Sequence, residues 1–184
     1  MRNLSKSVHS FCVMFGLMLA NGVAFAQSAP YAGEQARPIK ALSEREIADL
    51  RAGKGMGYAK PAELSSYPGP MHVLEFSREL GLSAQQRSAT QALIPPMREA
   101  AIAAAERYLE AERALDQLFS SGAANEAQLD VALQKSANAL ADVRASHLRT
   151  HIAQRALLTP EQITQYNALR GYTTSALPGA TKDY

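Results

Sequence analysis

The spacing of apolar positions divides the chain into helices and the segments between them, and it carries no strand-like alternation. Ser43-Glu44-Arg45-Glu46 has the serine-to-glutamate spacing of a capping box and opens a short helix to about Arg51, stopped by Gly53. Residues 53–70 hold Gly53, Gly55, Gly57, Pro61, Pro68, Gly69 and Pro70, which rules out a regular helix, yet Met56, Tyr58 and Tyr67 give the stretch reason to pack. Val73, Leu74, Phe76 and Leu80 mark a second short helix over 71–80, stopped by Gly81. A long helical stretch follows from Ala84 to about Ser120, interrupted at Pro95-Pro96, where each proline lacks a donor and crowds the preceding turn. After a turn at 121–124, Asn125 starts another long helix to about Leu157. Thr159-Pro160-Glu161-Gln162 caps a last helix ending near Arg170.

The two long helices can be paired on paper. The row Leu93, Met97, Ala100, Ala104, Tyr108, Ala111, Leu115 repeats in steps of three and four, as does Leu129, Leu133, Ser136, Leu140, Val143, His147, His151. Folding at Gly122 sets Leu115 on Leu129, Tyr108 on Ser136 and Ala100 on Val143, so that large residues face small ones. The fold class expected is therefore all-α: a long antiparallel hairpin with short flanking helices. Such a thin hairpin cannot bury both its faces, so a homodimer is expected.

The two ends of the chain read differently from its middle. Arg2 and Lys6, the apolar run 11–20 and Ala24-Phe25-Ala26 form a secretory signal over 1–26, with the mature chain starting at Gln27. The apolar run is too short for a membrane span. Residues 27–70 read as a mostly irregular leader with one short helix, mobile up to Ala41. Residues 71–172 are the helical domain, and 173–184 a disordered tail.

Composition narrows the chemistry. The sole cysteine, Cys12, lies in the signal, so a mature protein has neither disulfides nor thiolate sites. Losing Arg2 and Lys6 takes the 19 basic residues to 17, against 17 acidic. That balance gives no electrostatic footprint for nucleic acid or an anionic membrane. No GxSxG, catalytic cysteine or supported acidic pair points to an enzyme.

The pairing also places His147 against Met97 and His151 against Leu93, with the two histidines one turn apart on one face. His72 lies in the helix leading toward the same end. Imidazoles so spaced suit Zn, Ni, Co or Cu, and a thioether suits Cu(I), so His72, His147, His151 and Met97 are the candidate metal ligands. His147-Leu148-Arg149-Thr150-His151 lacks the glutamate a zincin needs, and His147 on an apolar seam also reads as a packed core residue.

Leu158-Thr159-Pro160-Glu161-Gln162, with Leu82-Ser83-Ala84-Gln85-Gln86 on the other side of the hairpin, resembles the paired LTxxQ motifs of the Spy/CpxP family of periplasmic proteins. Leu82, Ser83, Gln86, Leu158, Thr159, Pro160 and Gln162 carry the likeness, with serine for threonine in the first motif. The resemblance implies a cradle-like periplasmic homodimer that answers envelope stress, acting as an ATP-independent chaperone for unfolded clients. It equally implies kinship with heavy-metal sensor and resistance domains, or a module that restrains a membrane-bound regulator. Ile94, Met97, Ile102, Leu109, Leu118 and Phe119 are the candidate client-binding residues.

Overall fold

The computed structural model describes residues 29–172, so the signal expected over 1–26, Cys12 and the tail expected over 173–184 lie outside the described residues. The chain divides into two units, Met1–Ala32 and Gly33–Tyr184. Only residues 29–32 of the first are described, and they belong to a turn in which the Ala32 N–H donates to the Ala29 carbonyl. Every helix below belongs to the second unit.

Among the described residues, seven α-helices follow a single 3-10 turn at Glu34–Ala36: α1 Glu44–Arg51, α2 Lys60–Glu63, α3 Pro70–Glu75, α4 Ala84–Ala92, α5 Ile94–Ser120, α6 Glu126–Ala156 and α7 Pro160–Leu169. The described residues contain no strand. The all-α hairpin with short flanking helices is therefore the fold. None of the described helices is long and apolar enough to cross a membrane.

Local chemistry accounts for the boundaries. Ser43, Ser83 and Thr159 each accept from the backbone N–H three residues on, and Glu46, Gln86 and Gln162 bond back to the cap nitrogen. Asn125 caps α6 through the Gln128 N–H. Gly122 closes the hairpin turn at φ 71°, a conformation in which a Cβ would crowd the backbone. Pro95-Pro96 interrupt the long helix at a single residue that itself keeps helical backbone angles. Leu93 separates α4 from α5, and the prolines fall in the first turn of α5, where their missing N–H groups would have had no helical partner.

Helix α5 shows a rotation from the expected seam. Its buried residues are Ala101, Ala104, Ala105, Leu109 and Glu112, whereas Ala100 is exposed. Ser136 donates to Glu112 rather than facing Tyr108, one turn from the expected pairing. Arg107 reaches Asp142 at 3.0 Å across the same pair of helices. In α6 the expected Ser136, Val143 and His147 are buried, but Leu133 is exposed.

The physical cause is a third body. Ile39, Leu42, Ile47 and Leu50 share one core with Ala104, Ala105, Leu109 and Val143. Helix α5 must therefore face both α6 and the N-terminal segment, and its buried stripe sits between the two. The expected mobile leader is corrected accordingly. Ile39 is only 1% exposed, and the Lys40 N–H donates to Asp116 at 2.8 Å. A second core joins Val73, Leu80, Leu82, Leu158 and Tyr166, with Phe76 edge-on to Tyr166.

Candidate functional site

The second core is locked by the two motif glutamines. Gln86 Nε2 donates to Gln162 Oε1 at 2.8 Å, and Gln162 Nε2 donates to Gln86 Oε1 at 3.2 Å. Each remaining valence is filled by backbone. The Ser83 N–H donates to Gln86 Oε1 and the Thr159 N–H to Gln162 Oε1, both at 3.0 Å. Gln86 Nε2 also reaches the Leu157 carbonyl at 2.9 Å, and Gln162 Nε2 the Leu80 carbonyl at 3.2 Å. Two donors and two acceptors on each amide are thus used. Leu82 and Leu158 are buried beside this pair, while Ser83, Thr159 and Pro160 shape the helix starts. The motifs are a clasp that joins the starts of α4 and α7.

Above the clasp, residues 53–70 form a strap against the base of the hairpin. Gly53 sits at φ 65°, and a Cβ there would lie 3.1 Å from Ile102 and 3.2 Å from the Arg98 carbonyl oxygen, so a side chain would be strained and crowded at this approach. At the other end of the strap, the His151 Nδ1–H donates to the Tyr67 carbonyl at 2.7 Å. The Arg155 guanidinium lies 4.5 Å from the centroid of the Tyr67 ring, and Asn167 donates to Ser66 at 2.8 Å. Glu63 is the hub. Its carboxylate accepts from the Gly69 N–H at 3.1 Å and from the Tyr166 hydroxyl, and lies 3.4 Å from Arg170 Nε and 3.6 Å from His151 Nδ1. Burial, and then the bond to Glu63, push the Tyr166 phenol well above the ordinary tyrosine range.

Between strap and hairpin lies an open cavity of about 690 Å³. His72, His147, His151 and Met97 all line it, together with Met56, Met71, Ile94 and Glu63. The four residues expected as metal ligands are thus brought to one place. As they stand they are not a coordination set: no group of three or more His, Cys, Asp or Glu among the described residues is arranged to hold an ion. His72 Nδ1 is held by Glu75 at 2.7 Å, and His151 Nδ1 by Tyr67. His147 Nε2 is enclosed without a hydrogen-bond partner.

His147 has a measurable consequence. Burial, and secondarily the nearby His151, hold its pKa below the ordinary histidine value. The folded protein keeps this ring neutral, while the unfolded chain takes a proton near pH 6.5. Stability is therefore full above about pH 6.5 and falls as the pH drops from there toward the lower folded value. Urea midpoints at pH 7.5 and 5.5 should fall less in His147→Leu than in the wild type. Equal falls in both proteins would show that His147 does not contribute this proton.

Glu63, Tyr67, Gly69 and Tyr166 were not singled out by the sequence as site residues. Their signal is faint: Tyr67 and Gly69 stand in the glycine- and proline-rich stretch 53–70, and Tyr166 is one apolar position of the last helix. No family model, no curated protein and no solved structure matches this chain. The fold and its cavity define an all-α protein built on a clasped helical hairpin.

Proposed function

We propose that this protein is an exported, ATP-independent holdase of the Spy/CpxP kind, which shelters apolar segments of unfolding proteins. The observation that carries this reading is the bare end of the hairpin. From residue 113 to residue 135 no side chain is buried, although the stretch holds Phe119 at 59% exposure, Val131 at 56% and Leu133 at 47%. Exposed apolar side chains around the two helices of an uncovered arm offer another chain apolar surface to cover. Their helices are fixed at the far end by the clasp, which keeps the arm presented. Phe119 was among the client-binding candidates. Leu109, by contrast, is wholly buried and belongs to the core.

The purified protein, in several-fold molar excess and without nucleotide, should suppress light scattering by a chemically denatured enzyme. The Phe119→Ser, Val131→Ser, Leu133→Ser triple variant should keep its helicity and lose most of that protection. No suppression by the wild type, or full suppression by the variant, would refute the proposal. Sedimentation of the same pair separates two uses of the arm. Conversion from dimer to monomer assigns these residues to a second copy, whereas unchanged mass with lost protection assigns them to clients.

A further inference from the structure

The cavity under the strap plays no part in that activity, and its lining has its own chemistry. Ala52, Met56, Leu64, Met71, Ile94 and Met97 supply an apolar wall. Three of these are methionines, whose unbranched thioether chains adapt to ligands of varied outline. The volume falls in the range of pockets that bury a small organic molecule. Met56 is held at φ 43°, a left-handed conformation uncommon for a residue with a side chain. The strap around it is tied at Tyr67, Ser66 and Glu63, so the wall is built and does not depend on the ligand to form.

Charge on the lining is one-sided. Among the described residues Glu63 is the only acidic one on it, and its carboxylate is already engaged by Tyr166, the Gly69 N–H and Arg170. Lys54 is paired with Asp49 at 2.7 Å. Lys60 and Arg98 also line the cavity, are exposed, and form no ion pair among the described residues. An apolar interior with unspent cations on its wall complements one class of ligand: an apolar body ending in an anion.

We propose that this cavity binds a single-chain amphipathic carboxylate, its apolar chain along Met56, Met71, Ile94 and Met97 and its acid toward Lys60 and Arg98. The chain leaves water for the methionine-lined wall, which supplies the affinity. The exposed cations set the preference for charge and not the bulk of the binding.

The test uses decanoate, decanol and decyltrimethylammonium below their aggregation concentrations, titrated calorimetrically into the purified protein. Decanoate should bind one per chain, more tightly than decanol, with decyltrimethylammonium weakest. Gly55 provides the blocking variant. Its φ lies outside the left-handed range, and a Cβ there meets only His147 Nδ1, at 4.0 Å. Gly55→Leu should keep the circular dichroism of the wild type and lose binding of all three probes. The Lys60→Glu, Arg98→Glu double variant should weaken decanoate at least tenfold and leave decanol within twofold. Equal affinity for the three probes, several molecules bound per chain, decanoate binding that survives Gly55→Leu, or decanoate affinity unchanged in the charge-reversed pair would overturn the proposal. Should Gly55→Leu fail to fold, the charge-reversed pair decides alone. The holdase assay is independent of this result, since it reads the bare arm.

Discussion

Replacing Gln162 by alanine should lower the unfolding free energy by about 2–3 kcal/mol, from the loss of several net hydrogen bonds of roughly 1 kcal/mol each. The change removes the return bond to the Thr159 N–H, the donor to the Leu80 carbonyl and both bonds to Gln86. Gln86 then keeps an amide that was fully satisfied and is now half unpaired in a partly buried setting. Gln162→Glu discriminates between a local and a tertiary role. Glutamate serves a capping box as well as glutamine does. If Gln162 only capped α7, this variant would be neutral. Because Nε2 also donates to Leu80 and Gln86, the variant should cost about 1–2 kcal/mol at neutral pH, the order of two lost bonds. A urea-denaturation cycle with Gln86→Ala should show a coupling of about 1 kcal/mol between the two glutamines, as expected for groups in one network. Additive losses would show that the clasp is two separate caps.

Tyr166→Ala should be the more damaging change, at about 3–5 kcal/mol, the cost of emptying a buried aromatic site. Tyr166 is wholly buried, packs edge-on against Phe76 at 6.4 Å between centroids, and donates to Glu63. Tyr166→Phe isolates the hydroxyl. It should cost about 1.5–3 kcal/mol, the range for a hydrogen bond to a charged group. The same hydroxyl sets an alkaline limit. Burial and Glu63 raise its folded pKa above the unfolded value of about 10. The unfolded chain therefore releases this proton first, and the stability present below pH 10 is lost as the pH rises from there. Tyr166→Phe should flatten that loss. A wild-type profile with the same alkaline slope as the variant would exclude Tyr166 as its source.

Much of this could be read before any coordinates. The three capping boxes at Ser43, Ser83 and Thr159, the Asn125 cap and the Gly122 turn are local: each needs only the residue and its neighbours within a few positions, so sequence spacing specifies them. Periodicity likewise placed Val143 and His147 on the buried face of α6. It missed the stripe of α5 by about one residue, because a helix's own pattern shows that it has an apolar side and not how many partners share it.

Groups that meet over long chain separations are another matter. That Gln86 and Gln162 complete each other's hydrogen bonds is invisible in either motif, since each already looks finished as a cap. Ile39 sits in a polar, glycine- and proline-containing stretch that reads as a leader, and only its burial against α5 and α6 makes it core. Glu63 reads as an ordinary surface charge until the fold surrounds it with Tyr166, Arg170, Gly69 and His151. Sequence alone placed the starts of α1, α4, α6 and α7, because those caps rest on neighbouring residues; it missed α2, which forms inside the stretch read as non-helical with Pro61 in its first turn, and it carried the following helix on toward Leu80 where α3 stops at Glu75. Packing determined the clasp, the strap and the cavity, because each depends on donors, acceptors and apolar surface that the chain brings together only on folding.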